Sequence, residues 1–591
     1  HGLPHDLTVA GYLSVLPFLL TLVQIWVPGR WHARVMRGYL RLAAAVVLLI
    51  LMVDIELYTH WGFRLDTTPL IYLSDNPGDA IRQAPTWALV VLPVVMVALW
   101  WAIQRWWCSL FPVPRSNHQP WISPARRRGQ TGLALLLCAL LVLPIRGGVT
   151  VSTMNVGHVY YSSDMKLNHA AVNPVFSFLS SLSKHEDFAS QYRFMSDAEA
   201  AAAMQELGEM PRLCPVEMTA ADSAAATPWL TTSRPNVIVI LLESFSGSAC
   251  TALTPEADPG WMPSVNRFYE EGIGFTNFYA NSFRTDRGVA AVLASYPGQP
   301  THSIMKDVSK SQNLQYFSHR MADSGYDLEF VHGGDADFTN MRSFLRAGGI
   351  EHITADVDFP LADRLSKWGV PDHKMFSYLY DDIVRQAEEQ AVDRAAGHEA
   401  KPFMKIFLTL SSHEPFDVPS SRYEDPYLNS VAYTDSCLGD FVDRLRATPW
   451  WQDLLIIGLP DHCFAKCPPT IMNHEPLRYH IPMFWVGGAV REPRLITTMG
   501  SQIDLGATLL ARLDLSHEDF NFSKDLKDTT VPHYAFYAWP DGFGFLTDSI
   551  RYIQDNANDS HPLEGTYDPD GRAQRWGKAY LQTLYDDLSR R

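Results

Sequence analysis

Cysteine is scarce in this chain, with seven in 591 residues. Cys463 and Cys467 bracket only Phe464, Ala465 and Lys466, a spacing that suits a local disulfide. No second close pair completes the four ligands of a zinc knuckle. Beyond residue 150 stand Cys214, Cys250, Cys437, Cys463 and Cys467, an odd number that leaves at least one thiol unpaired, so an oxidising compartment is allowed without being required. Charged residues are also few, at 19%, and no internal repeat is evident. A basic surplus is missing where it would matter for a polyanion. Residues 1 to 150 hold 12 Arg and Lys against 6 Asp and Glu, which leaves 36 against 58 for the rest, and that acidic balance excludes nucleic acid as a partner. There is neither an initiator Met nor a basic, signal-like start, so an upstream segment carrying a further helix is expected.

Long apolar runs are what the first quarter does have. Residues 10 to 29, 39 to 59, 86 to 104 and 129 to 149 are each about the 20 residues that an α-helix needs to cross a bilayer core. Four buried helices of this kind in succession are not expected of a soluble protein, so residues 1 to 150 read as a transmembrane domain. The link after the first run carries Arg30, Arg34, Arg37 and Arg41, and the link after the third carries Arg105, Arg115, Arg126, Arg127 and Arg128. Positive charge marks both as cytoplasmic. Trp100, Trp101, Trp106 and Trp107 form an interfacial belt at the cytoplasmic end of the third run. Loop 60 to 85 and everything after residue 150 then fall on the far side. Asp54 and Glu56, near the outer end of the second run, read as solvated interfacial residues, with contact to a head group as the alternative.

Residues 151 to 235 read as a connector. NHAAVNPVFSFLSSL suggests an amphipathic helix along the membrane surface, and AEAAAAMQELGEM a solvated helix before an Ala, Thr and Pro-rich link. From Asn236 the pattern changes. VIVILL (237 to 242), LEFV (328 to 331), MKIFLTL (404 to 410) and LLIIGL (454 to 459) read as strands buried on both faces, separated by helical stretches such as 311 to 324 and 374 to 390. That alternation predicts an α/β domain over 236 to 591 with a mainly parallel central sheet. AFYAWPDGFGFLTDSIRYIQDN adds closing strands, and GKAYLQTLYDDLSRR a final amphipathic helix.

Ligands of such sheets bind beyond the carboxyl ends of the strands. Glu243 directly follows VIVILL, and Asp461 with His462 directly follow LLIIGLP, so both are carried to one rim. Alone, the Glu is a helix cap and the Asp-His pair a turn; together they read as metal ligands. Thr285, in NSFRTDRGVAA, is the candidate nucleophile. A Thr hydroxyl is unreactive at neutral pH unless a base or cation stabilises its alkoxide, which a divalent metal does. Three oxygens and one imidazole nitrogen from Glu243, Thr285, Asp461 and His462 suit Mn2+, with Zn2+ or Mg2+ as alternatives. Thr285 also reads as an N-cap of a helix beginning near Arg287, a position that favours a phosphate anion.

The order of strand-ESFSG, RTDRG and strand-DH behind a multi-helix anchor resembles the lipoteichoic acid synthase and phosphoglycerol transferase family of the sulfatase and alkaline phosphatase superfamily. The resemblance extends to IELYTHWGFRLDTTPLIYLSDNP and NHAAVNPVFSFL in the N-terminal part. It implies a sulfatase-like fold, a divalent metal on the residues matching Glu243, Thr285, Asp461 and His462, and phosphoglycerylation of Thr285. It further implies phosphate-holding or proton-donating roles for His332, in FVHGGDADFTNMRSF, and His413, in LSSHEPFDVP. The family's aromatic-Trp-Asn-Arg pattern is altered here to Phe338, Thr339, Asn340, Met341 and Arg342, so Arg342 is the displaced candidate for the phosphate. His480, in RYHIPMFWVGG, matches a superfamily His and is read as a phosphate contact, with core structure as the alternative and His474 as a weaker candidate.

The expected reaction is a ping-pong transfer of a glycerophosphate head group from phosphatidylglycerol, an anionic phospholipid donor, to an envelope glycan or glycerolphosphate polymer. The expected location is a bacterial plasma membrane, with the catalytic domain on the extracytoplasmic side. A phosphoethanolamine transferase of the same superfamily is the alternative. A sulfatase is disfavoured because the C/S-x-P-x-R signature is absent around Thr285, and a catalytically silent sensor has no need of the complete ligand set.

Overall fold

The computed structural model describes residues 1–67, 69–70, 86–110, 123–182, 187–209, 227–365, 368–467, 471–556 and 562–591. Most of the outer loop, together with Arg115, Cys214 and the first part of the Ala, Thr and Pro-rich link, lies outside the described residues. The chain divides into two units, His1–Glu186 and Asp187–Arg591.

The first unit is helical. Leu3–Trp26, Leu89–Trp107 and Pro124–Arg146 are long and apolar enough to cross a membrane. The second apolar run lies within one long helix, Trp31–Trp61, closed by Gly62 in the left-handed region. Asp54 on that helix is neither solvated nor open to a head group. Its carboxylate is buried, accepting from Arg64 at 2.6 Å and from the Leu65 amide at 2.9 Å, and Arg64 also donates to the His169 carbonyl at 2.6 Å. NHAAVNPVFSFLSSL is two helices rather than one, Met165–Ala171 and Pro174–Leu182. The break is local chemistry. Pro174 has no N–H to continue the first helix, and the Asn173 side chain accepts from the Val175 amide at 2.9 Å to cap the second.

The second unit is an α/β domain whose strands, in chain order, are β1 (Asn236–Leu242), β2 (Ile273–Phe275), β3 (Phe278–Tyr279), β4 (Asp327–His332), β5 (His352–Thr354), β6 (Phe403–Leu408), β7 (Leu454–Pro460), β8 (Met483–Val486), β9 (Arg494–Ile496), β10 (Gly500–Ser501), β11 (Ala535–Trp539), β12 (Gly542–Leu546) and β13 (Arg551–Asp555). Eight of them form the main sheet in the order β5-β4-β6-β1-β7-β8-β2-β9. Every neighbouring pair is parallel except those that β8 makes with β7 and β2. β1, β6 and β7 are buried at every residue, which is why they read as unbroken apolar runs rather than alternating ones. Helices Pro263–Glu271, Asp372–Ala395 and Pro426–Arg446 supply the apolar side chains that cover one face.

β11, β12 and β13 form a separate antiparallel sheet packed under the final helix, Arg572–Arg590. The helix Asp197–Gly208 packs on that final helix and buries Ala200, Ala203 and Leu207, so it is not solvated all round. The regular part of the 311 to 324 stretch is shorter than its sequence suggests, covering Phe317–Asp323.

One charge sits inside the main sheet. Lys405 of β6 is buried and reaches Glu329 of β4 at 2.5 Å and Asp382 of the covering helix. Removing the ammonium leaves Glu329 without its cation, and Asp382 with only the exposed Arg385, at a poorly solvated site. Lys405→Met is therefore expected to lower stability by about 3–5 kcal/mol, measured by chemical denaturation of the detergent-solubilised chain; a loss below about 1 kcal/mol would mean that water reaches this triad.

Candidate metal and nucleophile site

Strand order and register assemble the site before any side chain is considered. β4, β6, β1 and β7 are adjacent and parallel, so the loops after all four leave from one edge. Leu242 and Pro460 are register partners, so the next residues, Glu243 and Asp461, leave the sheet at the same level. His332 ends β4, and the turn after β6 carries Thr409 to His413. Glu243 is fixed by its neighbours. Its amide donates to Thr409 Oγ1 at 2.9 Å, and its carbonyl accepts from Ser412 Oγ at 2.6 Å. Ser244 turns the chain through the left-handed region, at φ 59°, and its amide donates to Asp461 Oδ1 at 2.9 Å.

Thr285 arrives from elsewhere, as the first residue of the helix Thr285–Ala294, with Arg284 in the N-cap position. Residues 286 to 294 of this helix are all buried. The helix approaches the β7 rim through Gly288, where an added Cβ would lie 1.9 Å from the Asp461 carbonyl oxygen. Ahead of it, the Asn281 side chain donates to the Phe536 carbonyl at 2.9 Å and Ser282 Oγ to the Ala538 carbonyl at 2.9 Å, so β11 fastens the segment leading into Thr285.

The result is a tight cluster. Ligand atoms of Glu243, Asp461 and His462 lie within 4.8 Å of one another. His462 Nε2 is 3.5 Å from Glu243 Oε1 and 3.6 Å from Asp461 Oδ2. Thr285 Oγ1 is 3.3 Å from Glu243 Oε2 and 3.5 Å from His462 Nε2. Asp461 Oδ2 is buried and accepts no hydrogen bond. An orphaned carboxylate oxygen beside a second carboxylate, an imidazole and a hydroxyl fits a divalent cation, and this oxygen-rich donor set suits Mn2+, Mg2+ or Zn2+.

The electrostatics point the same way. Burial raises the Glu243 carboxyl, but the hydrogen bond and charge of His462 outweigh it and hold Glu243 down at about 2. Burial and the charge of Glu243 push Asp461 up to about 7. Burial opposes a charged imidazole at His462, yet Asp461 and Glu243 together raise it to about 9. In the metal-free site a proton thus does the work of a cation.

Three histidines share one arrangement. Nδ1 lies 3.1 Å from the Cys463 carbonyl in His462, 3.0 Å from the Leu408 carbonyl in His332 and 2.8 Å from the Glu414 carbonyl in His413. A carbonyl oxygen only accepts, so each Nδ1 carries the hydrogen and each neutral ring keeps its lone pair on Nε2. His332 is held neutral by burial. His332 and His413 lie within electrostatic range of each other and of Glu243, so the β4 and β6 loops face the cluster.

The remaining expectations separate from this group. Arg342 donates to both carboxylate oxygens of Asp337, at 2.7 and 3.4 Å, which occupies the fork expected to hold phosphate. The cause is local: Thr339 and Asn340 both take positive φ and start a new helix, Met341–Ala347, that carries Arg342 back onto Asp337. His480 serves the core. Its Nε2 donates to the Thr276 carbonyl at 3.0 Å, and its own carbonyl accepts from the Gly247 amide at 3.0 Å. The carbonyl of His474 accepts from Tyr537 Oη at 2.7 Å. Cys463 and Cys467 are free thiols, not a disulfide; the Cys463 thiol donates to the His480 carbonyl at 3.5 Å, and Cys467 Sγ accepts from Ser248 Oγ at 3.1 Å.

Sequence reasoning missed Gln502. Its buried amide donates to the Pro460 and Asp461 carbonyls at 2.8 and 2.6 Å and accepts from the Asn281 amide at 2.9 Å, tying the β7 rim to the nucleophile segment. A lone Gln before a helix carries no signal of such a role.

Comparison with known proteins follows the same outline. The sulfatase family profile matches residues 235–515. Phosphoglycerol transferase I of Xanthomonas campestris is 24% identical over 327 residues, covering 52% of this chain and 44% of the relative. The Salmonella typhi protein of the same name is 24% identical over 293 residues, covering 46% and 37%. The chain thus spans less than half the length of these curated relatives. An alkaline phosphatase superfamily protein from Vibrio parahaemolyticus superposes with a TM-score of 0.55 at 21% identity, covering 68% of this chain and 99% of that one. The lipoteichoic acid synthase LtaP of Listeria monocytogenes gives 0.52 at 19%, covering 61% and 93%.

The fold and its rim therefore define a sulfatase-like α/β domain that follows a set of apolar helices in the chain. Within that class, the chain is similar to the phosphoglycerol transferases I and, in fold, to the lipoteichoic acid synthase LtaP.

A cation can enter only as the His462 proton leaves, so binding is linked to pH. His462 is protonated below about 9, and lowering the pH through that range strengthens the competitor. Mn2+ affinity is expected to fall about tenfold as pH drops from about 8 to about 7, with about one proton released per ion. Calorimetry in buffers of different ionisation enthalpy measures both, and a pH-independent affinity would remove His462 from the ligand set.

Proposed function

We propose that this protein is a membrane-bound phosphoglycerol transferase, moving a glycerophosphate head group from phosphatidylglycerol to a cell-envelope glycan or glycerolphosphate polymer through a covalent intermediate on Thr285. The observation that carries this reading is the position of the Thr285 hydroxyl, 3.3 Å from Glu243 and 3.5 Å from His462 at the start of a buried helix. The names of the similar transferases support the choice of head group.

Glu243, Asp461, His462 and Thr285 would hold one divalent cation, Mn2+ in the first instance. Held there, such an ion would supply positive charge to offset the negative charge developing on Thr285 Oγ and on the phosphoryl oxygens. In the first step Thr285 Oγ bonds to phosphorus and the bond from phosphorus to the diacylglycerol oxygen breaks. The Nε2 lone pair of His332 or His413 takes the Thr285 proton and passes it to the departing diacylglycerol oxygen, and the imidazolium formed in between faces the phosphoryl oxygens. In the second step the acceptor hydroxyl gives up its proton to a histidine, bonds to phosphorus and displaces Thr285. The first helical amides beside Thr285 favour the anion throughout. Arg342, in this reading, acts on the phosphate only if Asp337 releases it.

The proposed layout keeps residues 1 to 150 as the membrane domain, 151 to 235 as the connector and 236 to 591 as the catalytic domain. That last part would lie on the extracytoplasmic side of a bacterial plasma membrane. Donor and diacylglycerol both remain in the lipid phase, so a tether raises the effective concentration of the donor.

The test is peptide mass spectrometry after incubation with phosphatidylglycerol and Mn2+. A phosphoglycerol adduct is expected on the peptide containing Thr285 and is expected to vanish in Thr285→Ala. An adduct from phosphatidylethanolamine alone would replace the head group in this reading, and no adduct from either lipid with metal bound would reject the covalent route.

A further inference from the structure

The residue that lies against His413 comes from a segment to which the preceding assignments give no chemical part. The Trp368 indole is 4.3 Å from the His413 ring, centroid to centroid, and 6.0 Å from the Phe338 ring, which it meets edge-on. Phe338 is 37% exposed, and Trp368 and His413 are each half-buried, so this aromatic wall opens outward rather than filling the core.

The wall is rigidly mounted. The Val370 amide donates to the Gly333 carbonyl at 2.9 Å, next to His332. Gly369 has φ 142°, and a Cβ there would lie 1.9 Å from the same carbonyl, so only glycine permits the approach. Asp372 is buried, and its carboxylate accepts from the Leu410 amide at 2.9 Å, the Ser411 amide at 3.2 Å and Thr434 Oγ1 at 2.6 Å. Residues 368 to 372 therefore brace the loops of both histidines while presenting the indole beside one of them.

We propose that Trp368 is a specificity-determining residue. Its indole packs against the organic head group carried on the phosphoryl donor and selects an uncharged polyol over an ammonium. This rests on the phosphoryl-transfer reading above. An indole face alone attracts cations. Here the carboxylate next to Phe338 in the chain, Asp337, is committed to Arg342 and does not balance an ammonium. A polyol offers carbon-bound hydrogens to the indole without adding charge.

The test compares the full chain with Trp368→Phe and Trp368→Ala. With phosphatidylglycerol in mixed micelles, Trp368→Ala is expected to raise KM about tenfold with kcat within about twofold, the size of one aromatic contact, and Trp368→Phe to recover most of the loss. A separate readout is the tryptophan emission of the wild type minus that of Trp368→Phe, titrated with sn-glycerol 1-phosphate and with O-phosphoethanolamine. A saturable change with the first and none with the second supports the assignment. An unchanged KM in an active Trp368→Ala, or equal responses to the two phosphates, overturns it. If the wild type transfers no head group at all, the reaction itself is refuted, and the difference emission still decides whether Trp368 meets a polyol phosphate.

Discussion

Two carboxylates that leave adjacent parallel strands at one level set the terms for the rest of this domain. Glu243 and Asp461 follow the register partners Leu242 and Pro460, and both are buried. Repulsion between charges at that separation is severe where water is scarce. The site answers with a positive partner, a proton on His462. The separation of the carboxyls, one held at about 2 and the other raised to about 7, is the electrostatic consequence of the register.

That constraint explains how the surroundings are arranged. Ser244 and the His462 amide both serve Asp461 Oδ1, leaving Oδ2 unspent. Gln502 satisfies the carbonyls of Pro460 and Asp461, so the turn holding the carboxylate has little freedom to relax away from Glu243. Thr409 and Ser412 do the same for the backbone of Glu243. Each bond is of ordinary strength; their number fixes a geometry that charge alone would drive apart.

What the sequence disclosed and what it hid divide along the same line. Strands β1, β4, β6 and β7 were legible because burial on both faces leaves an unbroken apolar run, and Glu243, Asp461 and His462 were legible because each follows such a run directly. Features that depend on distant partners were not. The Gln502 clamp spans 221 residues to Asn281, the helix Asp197–Gly208 finds its apolar surface on the final helix, and Asp54 finds Arg64 across a turn. The pairing of Arg342 with Asp337 was hidden for a nearer reason: positive φ at Thr339 and Asn340 is not announced by residues that can adopt either hand. Sequence spacing also favoured a disulfide at Cys463 and Cys467, where the thiols instead bond to different groups.

Thr285 is mounted differently from the acidic and imidazole side chains beside it. Glu243, Asp461 and His462 ride on sheet edges, whereas Thr285 begins a helix buried from Asp286 onward. Moving Thr285 away from the carboxylates would require shifting a helix packed without clearance at Gly288, or breaking the bonds that hold Asn281 and Ser282 to β11. Both routes cost more than rotation of a loop, so the hydroxyl is held against the charge cluster before any substrate arrives. A weak nucleophile gains most from such placement, because the interaction that activates it needs no reorganisation at the moment of attack. Strand β11, which carries no carboxylate or imidazole of its own, thereby holds the segment that brings Thr285 to the cluster.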